Sequence, residues 1–239
     1  MISISAVLPA YNEEALIAAT ATTMADVLKG LVEDYEVIVV NDGSRDRTRE
    51  IVEGLAGQDP HIRCVNHPVN RGYGAALKTG FSSALKDWVF LTDGDKQFDV
   101  REIARFLPAT DGADLVVGYR SPRRDPFIRL VYARGWHLLV TLLFGYAARD
   151  IDCAFKLFRR MVWNHVKVHS GGATFSAEFL VKARACHYRF VELPVTHLPR
   201  TAGKPTGGHP KVILRAFRDL LWLRLHLEPC PDVPGSKAS

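Results

Sequence analysis

Two acidic residues separated by a single glycine, Asp93-Gly94-Asp95, follow the apolar run 88–91. Carboxylates at this spacing can turn toward one hard cation, and the glycine leaves room for a bulky phosphate. Gln97 adds a neutral oxygen that suits a six-coordinate Mg²⁺ or Mn²⁺. Acidic residues beside glycine are also common in turns, and Gln97 is read equally well as a surface amide. The pattern predicts a diphosphate-binding metal site with Asp93, Asp95 and Gln97 as ligands.

Polar residues also follow two other apolar runs. The run 2–8 leads into Pro9-Ala10-Tyr11-Asn12-Glu13, and the run 37–40 leads into Asn41-Asp42-Gly43-Ser44. Ligands of open α/β sheets lie at the carboxyl ends of the strands, so these groups are expected on one rim with Asp93. There Asp42 can bind a nucleobase or ribose, or cap a helix. The residues predicted to bind nucleotide are Pro9, Ala10, Tyr11, Glu13, Asp42, Gly72, Lys78, Asp93 and Gly94.

Short β-rich runs alternate with longer helical patterns along the chain. The predicted strands are 2–8, 35–40, 62–66, 87–92, 114–118 and 189–197. The predicted helices are 13–30, 46–57, 73–86, 127–147, 174–186 and 211–227. This alternation predicts an α/β fold, with a mostly parallel central sheet flanked by helices and an amphipathic helix at the C-terminal end.

Charge is distributed unevenly along the 239 residues. Residues 1–118 carry 11 Lys and Arg against 18 Asp and Glu, whereas residues 119–239 carry 20 against 8. A basic half indicates a phosphorylated ligand or an anionic membrane surface, and the aromatic interleaving used to stack nucleic-acid bases is not evident. The longest run without Asp, Glu, Lys or Arg is 14 residues, 135–148. That is short of the ~20 needed to span a bilayer, so no transmembrane helix is predicted.

The four cysteines, Cys64, Cys153, Cys186 and Cys230, are widely spaced and form no Cys-x-x-Cys pair. We read them as reduced thiols of a cytoplasmic protein. The N-terminus begins with a strand-like pattern rather than a signal peptide, so export is not expected. We therefore expect a cytoplasmic protein that binds peripherally to the inner face of the cell membrane.

Several motifs in order resemble those of family 2 glycosyltransferases of the GT-A fold, in particular dolichol- or polyprenol-phosphate mannosyltransferases. The motifs are Leu8-Pro9-Ala10-Tyr11-Asn12-Glu13, Val40-Asn41-Asp42-Gly43-Ser44, Asn70-Arg71-Gly72-Tyr73-Gly74, Asp93-Gly94-Asp95-Lys96-Gln97 and Val195-Thr196-His197 through Gly203-Lys204. The resemblance covers roughly residues 1–225, and it departs from the family at Pro205, where Ser is usual.

This resemblance implies an inverting, metal-dependent transfer of a sugar to a polyprenyl or dolichyl phosphate. GDP-mannose is the first expectation for the donor and UDP-glucose the second. The expected catalytic residues are Asp95, Arg120, Asp152, Arg200 and Lys204. The expected ligands of the acceptor phosphate are Arg120, Arg129, Arg134, Arg200 and Lys204. Residues 1–210 would form the catalytic domain, with a nucleotide- and metal-binding half (1–118) and an acceptor half (119–210), followed by a possibly membrane-associated helix (211–228) and a disordered tail (229–239).

Three alternatives stay open at this point. The first is a transferase whose acceptor is a hydroxyl group of a glycan or small molecule. Such an acceptor would need a base, and Glu178 or Asp152 could serve. Glu178 could instead pair with Lys182. A haloacid dehalogenase-type phosphatase also has Asp-x-Asp after a strand, but there the pair follows the first strand rather than the fourth. A nucleotide-binding domain without catalytic activity is the third. For the helix 211–227, packing on the domain is as good a reading as membrane binding.

Overall fold

A computed structural model describes residues 2–123, 127–172, 174–199, 210–227 and 230. A seven-stranded sheet forms its centre, in the order β3-β2-β1-β4-β6-β5-β7. The strands are β1 (Ser3–Ala10), β2 (Asp34–Asn41), β3 (Ile62–Asn66), β4 (Trp88–Leu91), β5 (Leu115–Arg120), β6 (Lys156–Arg159) and β7 (Phe190–Val195). The helices are α1 (Ile17–Leu31), α2 (Thr48–Gln58), α3 (Tyr73–Ser83), α4 (Phe127–Phe144), α5 (Arg160–His165), α6 (Phe175–Ala185) and α7 (Pro210–Leu225), with 3-10 segments at Val100–Arg105 and Leu107–Asp111.

The first four strands are parallel, and β1 lies between β2 and β4. Ala6 of β1 is paired with Val37 of β2 on one side and with Phe90 of β4 on the other. The apolar run of β2 is buried on both faces, as a strand covered by helices on each side must be. The predicted α/β fold with a mostly parallel sheet is therefore confirmed.

Strand β6 reverses the direction of the sheet. It is antiparallel to both of its neighbours, and its first residue, Lys156, pairs with Leu91 at the end of β4. Neither β6 nor α5 is among the predicted elements, because a four-residue strand next to a six-residue helix has too few residues to show a period. The reversal brings the segment before β6 to the rim where the parallel strands end.

Helices cover both faces of the sheet and enclose one apolar cluster on each. On one face α1 buries Ile17, Met24 and Leu28 against the sheet. On the other, Phe81 of α3 packs edge-on to Phe158 of β6 at a centroid distance of 5.0 Å. This two-layer burial fixes the strand ends that form the rim.

The C-terminal helix α7 packs on the domain along one side. Its residues Leu220 and Leu223 are fully buried, whereas Phe217, Leu221 and Leu225 are exposed. The packing alternative is thus observed, and an apolar stripe remains on the outer side. Among the described residues, no helix is long and apolar enough to cross a membrane.

Two cysteines are joined in a disulfide. Cys186, which follows α6, is bonded to Cys230, and Cys64 and Cys153 are free thiols. The expectation of four reduced thiols is therefore wrong for this pair. The two residues are 44 positions apart, and the bond links the segment after α6 to the segment after α7. Apart from Cys230, the predicted tail 229–239 lies outside the described residues.

Candidate functional site on the sheet rim

All seven strands have an end on one rim of the sheet. Strands β1 to β5 and β7 end there, and antiparallel β6 begins there. The side chains that follow or open these strands are Tyr11, Asp42, Asp93, Arg120, His197 and Lys156. The three strand ends predicted to converge do so, and the second half of the chain adds three more.

The acidic turn after β4 is held by hydrogen bonds to both carboxylates. Tyr73 donates its hydroxyl to Asp93 Oδ1 at 3.0 Å, and the Gln97 N–H donates to Asp95 Oδ1 at 3.1 Å. Lys96 between them has φ +57°, the left-handed conformation of a tight turn. Such partners orient ligating carboxylates in metal sites. The turn therefore presents two oriented carboxylates at the strand end.

Gly94 lies where the turn approaches the rest of the domain. A Cβ on this residue would be 3.4 Å from Ile17 Cδ1 and 3.5 Å from the Pro9 carbonyl oxygen. The Gly94 carbonyl accepts a hydrogen bond from Thr20 Oγ1 at 3.2 Å. These are ordinary van der Waals distances, so the packing of the turn on β1 and α1 does not itself require glycine, and the role of Gly94 beside a phosphate remains a prediction.

The side chain of Gln97 faces a buried histidine. Gln97 Nε2 lies 3.3 Å from His197 Nε2, and a bridge between Phe98 and His197 ties the two segments together. His197 follows β7 and comes 100 residues later in the chain. His197 is part of the last motif, but its place beside the acidic turn is a finding of the tertiary structure. Gln97 as a metal ligand remains a prediction.

The donor atoms of this turn fit a hard divalent cation. Oxygen ligands are what Mg²⁺ and Mn²⁺ prefer, and Asp93 and Asp95 supply them from one turn. Over the part of the chain that the structure describes, no three His, Cys, Asp or Glu side chains form a metal cage. A cation held here would accordingly take its other ligands from diphosphate oxygens and water, as Mg²⁺ commonly does.

Asp42 is buried and holds the start of α3. Its Oδ1 accepts from the Arg71 N–H at 2.9 Å and its Oδ2 from the Gly72 N–H at 2.8 Å. His67 Nδ1 lies 2.6 Å from Asp42 Oδ1, and the other ring nitrogen lies 2.8 Å from Thr79 Oγ1. Asp42 therefore bonds backbone N–H groups at the start of a helix, as in the capping alternative. The helix is α3, whose N-cap residue Gly72 comes 30 residues later in the chain. The predicted nucleobase contact of Asp42 remains a prediction.

The other predicted nucleotide residues occupy the same end of the sheet. Pro9 and Ala10 are buried as the last residues of β1, and Tyr11 beyond them is 37% exposed. The Glu13 N–H donates to Thr48 Oγ1 at 2.9 Å, which joins this segment to α2. An exposed aromatic ring next to buried backbone fits the predicted wall for a base.

Arg120 forms a buried pair with Asp150. Its Nε and Nη2 donate to the two carboxylate oxygens at 2.7 and 2.8 Å, and its backbone N–H donates at 3.2 Å. Arg123 Nη1 lies 3.7 Å from Asp150 Oδ1. Burial alone would raise the pKa of Asp150, but the hydrogen bonds and charge of Arg120, with the charge of Arg123, hold it below its ordinary value. Two arginines are thereby placed at the rim, as predicted for Arg120.

Asp152 and Lys156 lie in the adjoining turn. Lys156 is buried, and its Nζ donates to the carbonyl oxygens of Ile151, at 3.1 Å, and Cys153. Burial lowers the pKa of Lys156, although the negative charges of neighbours that include Asp152 and Asp93 act to raise it. Desolvation within the cleft raises the pKa of Asp152, although its side chain keeps access to solvent, and the charge of Asp150 adds to the effect. Lys156 is a site residue that the sequence motifs did not single out.

Glu178 is structural. It is fully buried and accepts from the His169 N–H at 2.8 Å, from Ser170 N–H and Oγ at 2.7 and 2.5 Å, and from Lys182 Nζ at 2.8 Å. Its pKa is lowered, because these donors outweigh the effect of burial. The alternative of a pair with Lys182 is observed, and a role as general base does not fit a carboxylate so fully bonded.

Lys78 is turned toward the same loop. Its Nζ donates to the His169 carbonyl oxygen at 2.7 Å, and burial lowers its pKa. This hydrogen bond gives the Lys78 ammonium group a partner within the protein. The contact between Lys78 and a nucleotide stays a prediction.

Of the other four predicted phosphate ligands, the structure describes only the side chain of Arg134. Arg134 lies exposed on α4. Arg129 belongs to the same helix, but its side chain lies outside the described residues, as do Arg200 and Lys204. Residues 201–208 lie outside the described residues as well. Their roles therefore remain predictions.

The fold and its rim together define a protein of the GT-A class. Residues 5–166 match the model of glycosyl transferase family 2, and the chain therefore belongs to this family. The resemblance inferred from the motifs is confirmed.

Among curated proteins, a dolichyl-phosphate beta-glucosyltransferase of Trichomonas vaginalis is 33% identical over 210 residues, which cover 80% of this chain and 64% of that protein. An undecaprenyl-phosphate 4-deoxy-4-formamido-L-arabinose transferase of Edwardsiella ictaluri is 30% identical over 213 residues, covering 88% and 64%. The chain thus spans less than two thirds of the length of these relatives.

A solved structure of glucosyl-3-phosphoglycerate synthase from Mycobacterium tuberculosis, in complex with Mn²⁺, uridine diphosphate and phosphoglyceric acid, has the same fold. It superposes with a TM-score of 0.72 at 21% identity, over 100% of this chain and 85% of that one. At this identity the likeness supports the GT-A fold alone.

Proposed function

We propose that the protein is a metal-dependent, inverting glycosyltransferase that moves a sugar from a nucleoside diphosphate to a polyprenyl phosphate. The observation that carries the proposal is the meeting of two unlike sites on one rim. The Asp93-Gly94-Asp95 turn offers hard oxygen ligands for a donor's metal, and Arg120 with Arg123 offers positive charge for a second phosphate. The curated relatives named above act on dolichyl phosphate and undecaprenyl phosphate.

A phosphate acceptor would not need a general base. The second pKa of a phosphate monoester is about 6, so near pH 7 the acceptor already carries a nucleophilic oxyanion. Glu178, the first candidate for a base, is fully bonded within the protein. The arginines would align the oxyanion behind the anomeric carbon, and one in-line displacement would invert that centre. The bound metal would supply charge stabilisation for the departing diphosphate.

The donor is proposed to be a hexose nucleotide. GDP-mannose is the expectation from the motifs, whereas the Trichomonas relative is named for glucosyl transfer. That name favours the sugar of the second expectation, glucose, over mannose, and it specifies no nucleotide. Pro9, Ala10, Tyr11, Glu13 and Asp42 would form the nucleoside pocket, and a guanine is distinguished from a uracil there only by its size and hydrogen-bonding edge.

We propose that the protein lies peripherally on a membrane surface. The exposed stripe of α7 carries Phe217, Leu221 and Leu225, with Arg218 and Arg224 exposed beside it. On α4, Ile128 and Leu142 are exposed as well. Apolar side chains next to arginines suit the interface of a membrane with anionic lipids. A lipid-linked acceptor would then reach the rim from the bilayer surface.

The proposal is tested by incubating the protein with Mn²⁺ and radiolabelled GDP-mannose or UDP-glucose, with and without a polyprenyl phosphate. We expect label in the lipid fraction with one donor, and none when EDTA replaces the metal. Transfer to soluble sugars instead of the lipid would refute the acceptor. Failure of both donors to raise the melting temperature in the presence of Mn²⁺ would refute donor binding, because a ligand of the native state stabilises it.

A hydroxyl acceptor is the second candidate, and Asp152 is the observation in its favour. A carboxyl group with a raised pKa in an accessible cleft can act as a general base. The variant Asp152→Asn separates the two candidates. With a phosphate acceptor it should keep most of its turnover, whereas a hydroxyl acceptor would lose about 100-fold or more, the usual contribution of a positioned base.

A further inference from the structure

Tyr73, the first residue of α3, reaches across the rim to the acidic turn. Its hydroxyl donates to Asp93 Oδ1 at 3.0 Å, and the residue is 41% exposed. The contact joins two segments 20 residues apart, one after β3 and one after β4. None of the roles predicted from the motifs involves this side chain.

The backbone around Tyr73 is constrained on both sides. Gly72 has φ +92°, a conformation that residues with a Cβ rarely adopt, and its N–H donates to Asp42 Oδ2. A Cβ on Gly74 would lie 2.7 Å from the carbonyl carbon of Gly171. The start of α3 is therefore held between Asp42 on one side and Gly171 on the other, which leaves Tyr73 aimed at Asp93.

These contacts form one continuous link. Asp42, at the end of β2, fixes the Gly72 backbone, and the adjacent Tyr73 fixes Asp93 at the end of β4. The nucleoside side and the metal side of the rim are thus connected through a single turn. A loop held in this way limits how far Asp93 can rotate.

We propose, resting on the proposed function, that Tyr73 is a positioning residue that orients Asp93 for the divalent cation of the donor complex. The hydroxyl would hold one carboxylate oxygen so that the carboxylate faces the metal. Hydrogen-bond partners of metal ligands typically contribute 10- to 100-fold to metal affinity or activity. The aromatic ring could instead serve as a stacking surface for the donor, and substitution by phenylalanine separates the two roles because it removes only the hydroxyl.

The experiment measures Mn²⁺ affinity by electron paramagnetic resonance, with GDP or UDP present, for the wild type and Tyr73→Phe. We expect the variant to bind Mn²⁺ about 10-fold more weakly, with an unchanged melting temperature and unchanged metal-free nucleotide affinity. The matched control is Tyr146→Phe, because the Tyr146 hydroxyl also donates to a carboxylate, Glu192 Oε1, at 2.8 Å. Glu192 belongs to β7, and this control should keep wild-type Mn²⁺ affinity.

The outcomes separate the two proposals. If the wild type binds no Mn²⁺ with either nucleotide, the proposed function fails and the role of Tyr73 fails with it. If the wild type binds Mn²⁺ and Tyr73→Phe binds it equally well, only the role of Tyr73 is refuted. Loss of affinity in Tyr73→Ala together with full affinity in Tyr73→Phe would assign the effect to the ring and also refute it.

A double-mutant cycle tests the link through Asp42. If Asp42 acts through Tyr73, the combined loss of Mn²⁺ affinity in Asp42→Asn and Tyr73→Phe should be smaller than the product of the two single losses. Losses that multiply would show that the two residues act independently and would refute the link.

Discussion

The acidic and the basic halves of the rim are held together in different ways. At the rim, two carboxylates of residues 2–118 accept hydrogen bonds from backbone N–H groups, Asp42 from Gly72 and Asp95 from Gln97. In the rest of the chain the site depends on pairs between distant side chains, of which Arg120 with Asp150 is the most buried at the rim. A disulfide adds a covalent link in that half and joins residues 44 positions apart.

The proposed function would account for this difference. A diphosphate and its metal need small, rigid turns, which backbone hydrogen bonds supply. A phosphate on a long lipid needs positive charge in a cleft open to the membrane, and charge in a cleft must be balanced by buried carboxylates. We therefore expect substitutions of single side chains in the second half to lower mainly the stability of the protein. Substitutions in the first half should lower mainly its metal-dependent activity.

The largest expected effect on stability is that of Asp150→Asn. The variant leaves the guanidinium of Arg120 buried without its carboxylate, and breaking a buried pair costs about 3–5 kcal/mol. Urea unfolding followed by circular dichroism measures this loss. The matched control is Asp114→Asn, whose partners Arg159 and Arg189 are more exposed, so its loss should be about 1 kcal/mol or less. Equal losses in the two variants would contradict the assigned importance of the rim pair.

The same residue sets a pH dependence. The pKa of Asp150 is lowered in the folded protein, so its stabilising effect is present above the unfolded value near ~3.9 and is lost as the pH falls through the lower folded value. The wild type should therefore lose stability between about pH 5 and pH 2 more steeply than Asp150→Asn. Parallel curves for the two proteins over this range would count against the prediction.

Removal of the disulfide comes next. The double variant Cys186→Ser with Cys230→Ser should lose about 2–4 kcal/mol, because the link restricts the unfolded chain over 44 residues. Thiol titration of the unfolded protein should find two free thiols before reduction and four after. Cys64→Ser is the control, since Cys64 takes no part in the link. Four free thiols before reduction would show that the pair is not bonded under those conditions.

In the acidic half we expect a comparable effect on catalysis instead of stability. Asp95→Asn should lower metal-dependent turnover about 100-fold, which corresponds to about 2.7 kcal/mol of activation free energy. The fold should survive, because an asparagine oxygen can still accept from the Gln97 N–H. Asp99→Asn is a close control, since Asp99 Oδ1 accepts from the Arg101 N–H two residues on in the same way, at 3.0 Å. A similar loss in both variants would argue against a metal role for Asp95.

The smallest expected effect is that of Gly74→Ala. Its Cβ would meet the carbonyl carbon of Gly171 at 2.7 Å, and relief of that overlap should cost about 1–3 kcal/mol. Gly54→Ala in α2 has open space around the added methyl group and should be neutral or stabilise by up to ~1 kcal/mol. Thermal unfolding compares the two. A stable Gly74→Ala protein would show that the Gly171 loop gives way easily.

Much of the fold follows from local patterns. Six of the seven strands are predicted within a few residues, and the apolar runs of β1, β2 and β4 mark strands that are buried on both faces. The convergence of Tyr11, Asp42 and Asp93 on one rim follows from the parallel order that alternation implies. The exception is β6, whose four residues carry no detectable period.

Predictions were weakest where a side chain's role depends on a distant partner. For Glu178 the local spacing indicated the pair with Lys182 but not the bond to the His169 N–H, and for Lys78 no local pattern indicated the bond to the His169 carbonyl oxygen. His197 reaches Gln97 across 100 residues, and Cys186 reaches Cys230 across 44. A side chain's partner across such distances is set by packing, which a period or a short motif does not record.

By itself the sequence determined the α/β class, the family and the acidic turn with its neighbours on the rim, because each depends on local order and on motif spacing. Only the tertiary structure decided that β6 runs antiparallel, that Lys156 and His197 join the rim, and that Arg120 is paired with Asp150. It also decided that Tyr73 holds Asp93. Each of these depends on contacts between segments far apart in the chain, whose direction and distance are set by the packed core.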